Sequence, residues 1–123
     1  MTTAITAVHP RRVWDSRGRP TVEVEVRLDG GAMGRAIAPA GASVGSGEAV
    51  DLRDGGKRFG GYDVTKAVAA VRNEIAPALA GQDASQQAAI DGLMSKIDGT
   101  PQKSRLGGNA LVATSMAVLQ ASA

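Results

Sequence analysis

The chain has 123 residues, with no cysteine, a single histidine (His9) and three aromatic residues. Without cysteine it cannot form a disulfide framework, a thiolate metal site or a cysteine nucleophile. One histidine and no obvious cluster of carboxylates argue against a metal site built by this chain alone. Because Trp14, Phe59 and Tyr62 are the only aromatic residues, the core must consist of Val, Ile, Leu, Met and Ala.

The chain also lacks a long hydrophobic run and an export signal. Its longest apolar stretch, residues 110–123, is interrupted by Thr114, Ser115 and Gln120. That stretch is shorter than the roughly 20 apolar residues that a helix needs to cross a bilayer. No basic start followed by an apolar segment is found at the N-terminus. We therefore expect a soluble cytoplasmic protein with no membrane association.

Four arginines fall within residues 11–19, and the net charge is +2. A cluster of this kind could bind nucleic acid. Asp15, Glu23 and Glu25 are interleaved with it, however, and no stacking aromatic residues accompany the arginines. Ion pairs within the protein or at an interface explain the pattern better, so we expect no nucleic-acid partner.

Residues 21–28 alternate strictly between aliphatic and polar residues, most of the latter charged, which predicts a half-buried strand. Residues 29–31, Asp-Gly-Gly, supply a turn, so residues 33–38 are expected to return antiparallel. Residues 5–13 are predicted to form a first strand that is weakened or bulged at Pro10. The first third of the chain is therefore predicted to be a three-stranded antiparallel meander.

Helical periodicity follows the meander. Apolar residues recur at helical spacing behind Asp63, the predicted N-cap, and Pro77 is expected to end or kink this first helix. Asp83 and Gln86 resemble a capping box ahead of a second helix that stops at residues 98–99. The predicted fold class is α+β, with the meander followed by a helical bundle.

A third helix is predicted over residues 109–123, where almost every side is apolar and small residues are frequent. Such a helix should pack closely on more than one face. No glycine cap, basic last turn or polar tail finishes it. We expect the chain to be a fragment, or a domain cut from a longer protein. A free domain would expose the apolar surface of this helix.

Residues 39–48 place three glycines and two serines between the strand pattern and the helix pattern. Gly41, Gly45 and Gly47 permit backbone conformations that bring peptide N–H groups close to a ligand. The segment is predicted to form one wall of a site for a small anionic ligand, with the chemistry located elsewhere.

Five blocks of the sequence resemble, in order, the enolase (phosphopyruvate hydratase) family. They are WDSRGRPTVEV at 14–24, PAGASVG at 39–45, EAVDLRD at 48–54, IAPAL at 75–79 and DGTPQKSRLGGNA at 98–110. The resemblance covers essentially the whole chain. It is to the N-terminal domain only, which in enolases is an α+β cap of three strands and several helices ahead of a barrel.

The resemblance implies a reaction and a cofactor. Enolases interconvert 2-phosphoglycerate and phosphoenolpyruvate in glycolysis, and two Mg²⁺ ions stabilise the negative charge of the intermediate. In the family, the base, the acid and the carboxylates that hold the first metal come from the barrel. No catalytic residue is therefore expected on residues 1–123, and the chain alone is expected to be inactive.

By the same resemblance, residues 39–48 form a lid over the Mg²⁺-bound substrate. Gly41-Ala42-Ser43 lies on that lid, and Ser43 is implied to be a ligand of the second Mg²⁺. Arg11 and Glu23 match positions that pair with the barrel of a neighbouring subunit, which implies a homo-oligomer, either a dimer or an octamer of dimers. Considered as residues only, both would be ordinary solvated charges.

Two departures from the family pattern keep other hypotheses open. Ala40 and Val44 stand where the family has Ser and Thr, so two hydroxyl groups are missing from the lid. The alternatives are an enolase-like paralogue whose altered lid serves another substrate or none, and a freestanding binding or dimerisation module.

Overall fold

The computed structural model describes residues 2–14, 18–38, 52–55, 63–100 and 105–123. Within these ranges, three strands form one antiparallel sheet in the order β1-β2-β3. The strands are β1 (Ile5–Trp14), β2 (Pro20–Leu28) and β3 (Met33–Ile37). The predicted meander is confirmed, because each strand pairs antiparallel with the next.

Strand β1 runs without interruption through Pro10, which pairs with Val24. The bulge predicted at Pro10 is therefore wrong, and the irregularity in register lies between Ile5 and Ala7 instead. β1 is at the edge of the sheet. An edge strand tolerates proline because its missing N–H can face away from the ladder.

Three helices follow the sheet in the described part of the chain. Helix α1 is a continuous run of α-helical Thr65–Ala70, π-helical Val71–Ile75 and α-helical Ala76–Leu79. Helix α2 spans Gln87–Asp98, and α3 spans Gly108–Ser122. No helix in the described ranges is both long enough and apolar enough to cross a membrane.

Pro77 does not end α1, since the helical run continues to Leu79. Pro77 lies in the first turn of the last α-helical segment, directly after the π-helical turn. Within a continuous helical run, proline removes one backbone hydrogen bond and disturbs the turn before it, and here that turn is the π-helical Val71–Ile75.

The N-cap of α1 differs from the prediction. Val64 occupies the cap position and makes no side-chain cap bond. The carboxylate of Asp54 instead accepts the N–H groups of the first two residues of α1, at 3.3 and 2.9 Å. Asp63 accepts the Val64 N–H at 2.8 Å and pairs with Arg12 at 3.1 Å. A carboxylate distant in sequence thus takes the role predicted for the adjacent one.

The capping box predicted from Asp83 and Gln86 also does not form. Gln86 is the N-cap of α2 without a side-chain cap bond. Asp83 accepts hydrogen bonds from the hydroxyls of Thr3 and Ser85, at 2.6 and 2.8 Å, and from the Ser85 N–H at 3.0 Å. These bonds, the Thr3 bond first, lower the pKa of Asp83. Asp83 therefore ties the turn before α2 to the start of β1.

The core lies between the helices and one face of the sheet, where Val22, Val24 and Val26 of β2 are fully buried. Helix α3 packs against β2 and β3, and α1 packs against β1. Gly34 of β3 permits the close approach of α3, because a Cβ at this position would overlap the Ala117 carbonyl. The predicted close packing of the last helix is confirmed.

The outer edge of β3 is also contacted by α3. The side-chain carbonyl of Gln120 accepts the backbone N–H of Arg35 at 3.2 Å. A residue of the helix therefore serves as hydrogen-bond partner for the middle of the edge strand.

Candidate functional site

The candidate lid, residues 39–48 with Gly41-Ala42-Ser43, falls outside the described residues. The proposed metal ligand Ser43 belongs to the same segment. The structure does place the residues on either side of it, Ala38 after β3 and Leu52. These two residues define the frame from which the candidate lid extends.

The first side of the frame is anchored to β2. The N–H of Ala38 donates to the Val22 carbonyl at 2.9 Å. The hydroxyl of Thr21 donates to the Ala38 carbonyl at 2.8 Å. Ala38 and Thr21 are both buried, so these bonds are shielded from water. The chain therefore leaves β3 from a fixed position.

The second side of the frame is held by a side-chain amide at the start of α3. Asn109 Oδ1 accepts the Leu52 N–H at 2.9 Å, and Asn109 Nδ2 donates to the Leu52 carbonyl at 3.1 Å. Oδ1 also accepts the Ala110 N–H at 3.1 Å. Asn109 is buried. Its amide thus pairs with the backbone of Leu52 as a neighbouring peptide group would.

The two residues after Leu52 connect the frame to β2 and α1. The guanidinium of Arg53 donates to the Pro20 carbonyl, and the Asp54 N–H donates to the Asp63 carbonyl at 2.8 Å. Burial, the largest influence, would raise the pKa of Asp54, but hydrogen bonds from the start of α1 outweigh it and the pKa is lowered. Asp54 is therefore an ionised cap at neutral pH.

Asp98, the last residue of α2, binds backbone groups that precede α3. Its carboxylate, which is buried, accepts the N–H groups of Thr100 and Leu106 at 3.0 and 2.7 Å and the Thr100 hydroxyl. Arg105 donates to the Asp98 carbonyl at 3.1 Å and pairs with Glu74 at 2.7 Å. Burial would raise the pKa of Asp98, yet the hydrogen bonds and Arg105 outweigh it and lower the pKa. The predicted end of α2 at residues 98–99 is confirmed, and Gly99 there adopts the left-handed conformation.

The face of the sheet opposite the helices carries a network of charges. Glu25 lies at its centre and pairs with Arg35 at 2.7 Å and with Arg27 at 3.0 Å. Glu23 pairs with Arg11 at 3.2 Å and with Arg35 at 3.7 Å. Hydrogen bonds from Arg35 and then Arg27 lower the pKa of Glu25 to about 2. Glu25 therefore stays charged across the physiological pH range.

Arg11 and Glu23, the candidate oligomer contacts, therefore contact each other within this chain. The side chain of Arg11 is 51% exposed, as expected of a solvated charge, whereas that of Glu23 is only 11% exposed. Neighbouring strands cover Glu23 because it lies on the central strand between Arg11 and Arg35.

In the ranges that the structure describes, no three His, Asp or Glu side chains lie close enough together to hold a metal ion.

The sequence pattern does not single out Asn109 and Asp54, which hold this frame in place. Asn109 and Asp54 both lie in blocks that resemble the enolase family, and that membership was their only signal. Their partners are distant along the chain, 57 residues away for Asn109 and 11 or 12 for Asp54. Local patterns do not report such pairings.

Comparison with known proteins identifies relatives over the whole chain. The family described as "Enolase, N-terminal domain" matches residues 5–123. "Enolase 1" of Lactococcus lactis subsp. cremoris (strain SK11) is 56% identical over 123 residues, which is 100% of this chain and 29% of that relative. "Enolase 2" of Lactococcus lactis subsp. lactis (strain IL1403) is 55% identical over the same shares. The chain thus spans less than a third of the length of these curated relatives.

Proposed function

Since this chain belongs to the family of enolase N-terminal domains, we propose that it is the capping domain of an enolase that interconverts 2-phosphoglycerate and phosphoenolpyruvate. The observation that carries the proposal is the family match over residues 5–123. The catalytic base and the carboxylates of the first metal would belong to a barrel that follows the cap. The intact enzyme would be cytoplasmic and glycolytic.

The contribution of this chain would be the lid, residues 39–48. When bound, Mg²⁺ stabilises the negative charge that develops on the substrate. The hydroxyl of Ser43 is a hard oxygen donor of the kind that completes a Mg²⁺ shell together with substrate phosphate. Closure of the lid would exclude water and complete the catalytic set. The hydrogen bonds of Ala38 and Leu52 support this role, because they hold the described residues before and after the segment in fixed positions.

The intact enzyme would also be a homo-oligomer. Arg11 keeps about half of its side chain exposed while it is paired with Glu23. Its remaining N–H groups can therefore donate to a carboxylate of a neighbouring subunit. Ile37 faces Glu23 in the register of the sheet and is itself exposed. These residues would form part of the contact with the neighbouring barrel.

A second candidate is an enolase-like paralogue with a different substrate. It is favoured by Ala40 and Val44, which remove two hydroxyl groups from the lid. Turnover of 2-phosphoglycerate by the intact protein distinguishes the two, since the paralogue would show none.

The first test uses the chain alone. Purified residues 1–123 with Mg²⁺ and 2-phosphoglycerate should give no turnover above the blank, because the base and the main metal ligands are missing. Turnover by this chain would refute its role as a cap. A freestanding binding module would be inactive as well, but it would have no barrel to complete it.

The second test concerns the lid in the intact enzyme. We expect Ser43→Ala to raise the Mg²⁺ concentration for half-maximal rate by about tenfold and to lower kcat, because one oxygen ligand is lost. Ser46→Ala removes a hydroxyl from the same segment and serves as the control. If Ser43→Ala and Ser46→Ala show the same Mg²⁺ dependence as the wild type, Ser43 is not a ligand.

A further inference from the structure

We propose that Asn109 is a positioning residue of the enzyme, which fixes the point where the lid segment rejoins the fold at Leu52. This inference rests on the proposed function, since it assigns a role in setting the lid. Asn109 touches neither substrate nor metal in this scheme. It acts through Leu52, which it holds by two hydrogen bonds of 2.9 and 3.1 Å.

The use of the Asn109 amide supports a positioning role. Within α3, only its Oδ1 has a partner, the Ala110 N–H. The Nδ2 group donates to Leu52, which is outside the helix. A hydrogen-bonding side chain that only started the helix would need an acceptor and no donor. The donor of Asn109 is therefore explained by the need to hold Leu52.

Gly107 lies close to both Leu52 and Asn109. Its φ is +99°, and a Cβ on Gly107 would come within 2.5 Å of Leu52 Cβ and 2.6 Å of Asn109 Oδ1. Leu106, the residue before it, is buried and held by Asp98 at 2.7 Å. Gly107 and Asn109, which contact Leu52, are thus connected to α2 as well as to α3, and Leu52 has little room to shift.

Fixing Leu52 sets one of the two points to which residues 39–51 are joined. Residues 39–51 connect Ala38, held by Thr21, with Leu52, held by Asn109. Restricting the ends of a segment removes conformations that would otherwise compete with the productive one. Displacement of a catalytic group by about 1 Å can lower a rate about 100-fold, even when the mutation is remote.

The test compares Asn109→Ala and Asn109→Asp with Thr114→Val. Thr114 is buried on the same helix and its hydroxyl donates to the Ala110 carbonyl at 2.8 Å, without contact to Leu52. Thr114→Val therefore matches the loss of a buried polar group but leaves the frame intact. Asn109→Asp keeps the acceptor for the Leu52 N–H and places a second oxygen against its carbonyl, so it provides a graded change if the alanine variant does not fold.

The first measurement is amide hydrogen exchange of the 123-residue chain. We expect the Leu52 amide to exchange at least about tenfold faster in Asn109→Ala, relative to core amides of β2, because its acceptor is gone. In Thr114→Val this ratio should not change. Equal exchange of Leu52 in Asn109→Ala and in Thr114→Val would overturn the anchoring.

The second measurement is turnover of 2-phosphoglycerate by the intact enzyme. At equal folded fraction, we expect kcat/KM to fall at least about tenfold in Asn109→Ala, by less in Asn109→Asp and not in Thr114→Val. Equal kcat/KM in all variants would show that Asn109 is structural only and overturn the proposal, while the function stands. No turnover by the wild type would overturn the proposed function and this role with it.

Discussion

Gly34 of β3 lies directly against the main chain of α3 at Ala117. A Cβ on Gly34 would overlap the Ala117 carbonyl and come within 2.5 Å of the Ala121 N–H. Both obstacles are backbone atoms of a helix, so neither can rotate away. The sheet and helix can adopt their observed separation only because residue 34 has no side chain.

We expect Gly34→Ala to lower the free energy of unfolding by at least about 1–3 kcal/mol, because α3 must move away from the sheet. Gly92→Ala is the matched control. Gly92 is exposed within α2 and a Cβ there meets nothing within 4 Å, so the same change should stabilise by about 0.5–1 kcal/mol. Denaturant titration of both variants measures the difference. Equal stability of the two variants would contradict the packing of α3 on β3.

Asp98 should be a strong determinant of stability. Its carboxylate is buried and satisfies the Thr100 and Leu106 N–H groups. We expect Asp98→Ala to lower the free energy of unfolding by about 2–4 kcal/mol, because the buried Leu106 N–H and the part-buried Thr100 N–H lose their acceptor. Glu74→Gln, which weakens the exposed pair with Arg105, should cost about 0–1 kcal/mol. Thermal or denaturant unfolding distinguishes them, and a loss for Asp98→Ala no larger than that for Glu74→Gln would refute the role of Asp98.

Ionisation of Glu25 should make the free energy of unfolding depend on pH in the acidic range. Its folded-state pKa is lowered from an ordinary value of 4.5 to about 2 by Arg35 and Arg27. Its ionic contribution is therefore complete above pH 4.5 and is lost as the pH falls from 4.5 through 2. In Glu25→Gln, this part of the acid dependence should disappear.

The measurement for Glu25 is denaturant unfolding at a series of pH values between neutrality and pH 2. The wild type should lose more free energy of unfolding than Glu25→Gln over the acidic interval. Glu74→Gln, which removes a carboxylate outside this charge network, is the control. Parallel curves for the wild type and Glu25→Gln would show that the charge network does not lower the pKa of Glu25.

Removal of the Asp54 carboxylate, which accepts the first N–H groups of α1, should destabilise the start of this helix. We expect Asp54→Ala to lower the free energy of unfolding by about 0.5–2 kcal/mol, the usual range for a lost helix cap. The exchange of the Thr65 and Lys66 amides should accelerate, because both donate to Asp54. Asp63→Ala tests the alternative that the adjacent residue caps the helix, because alanine has no side-chain acceptor. If Asp63→Ala accelerates these two amides and Asp54→Ala does not, the sequence-based assignment of the cap was right.

The strands were predictable because their signal is local. Alternation over residues 21–28 predicted β2, which spans Pro20–Leu28, to within one residue. It also predicted the wrong environment for the charged face. Glu23 and Glu25 are buried. Arg11 and Arg35 of the two neighbouring strands contact Glu23, whereas Glu25 is contacted by Arg35 and by Arg27 of its own strand. A pattern along one strand cannot report what the adjacent strands place beside it.

The helices were predictable as elements, and α2 ends where the sequence predicts, but the side chains that cap α1 and α2 were not predictable. Period and composition located α1, α2 and α3, whereas Asp63, Asp83 and Gln86 did not cap as predicted. The start of α1 is held instead by Asp54, which comes from another part of the fold. The frame of the candidate lid was missed for the same reason, since hydrogen bonds between distant residues form only after the chain has folded.

The bond from the Arg35 N–H to Gln120 has a consequence for association. β3 is an outer strand, and an outer strand with free amides is a template onto which an extended segment from another molecule can add. Gln120 occupies the amide at the centre of β3. A strand from another molecule would first have to displace this side chain, so the bond from Gln120 disfavours strand addition at this edge of the sheet.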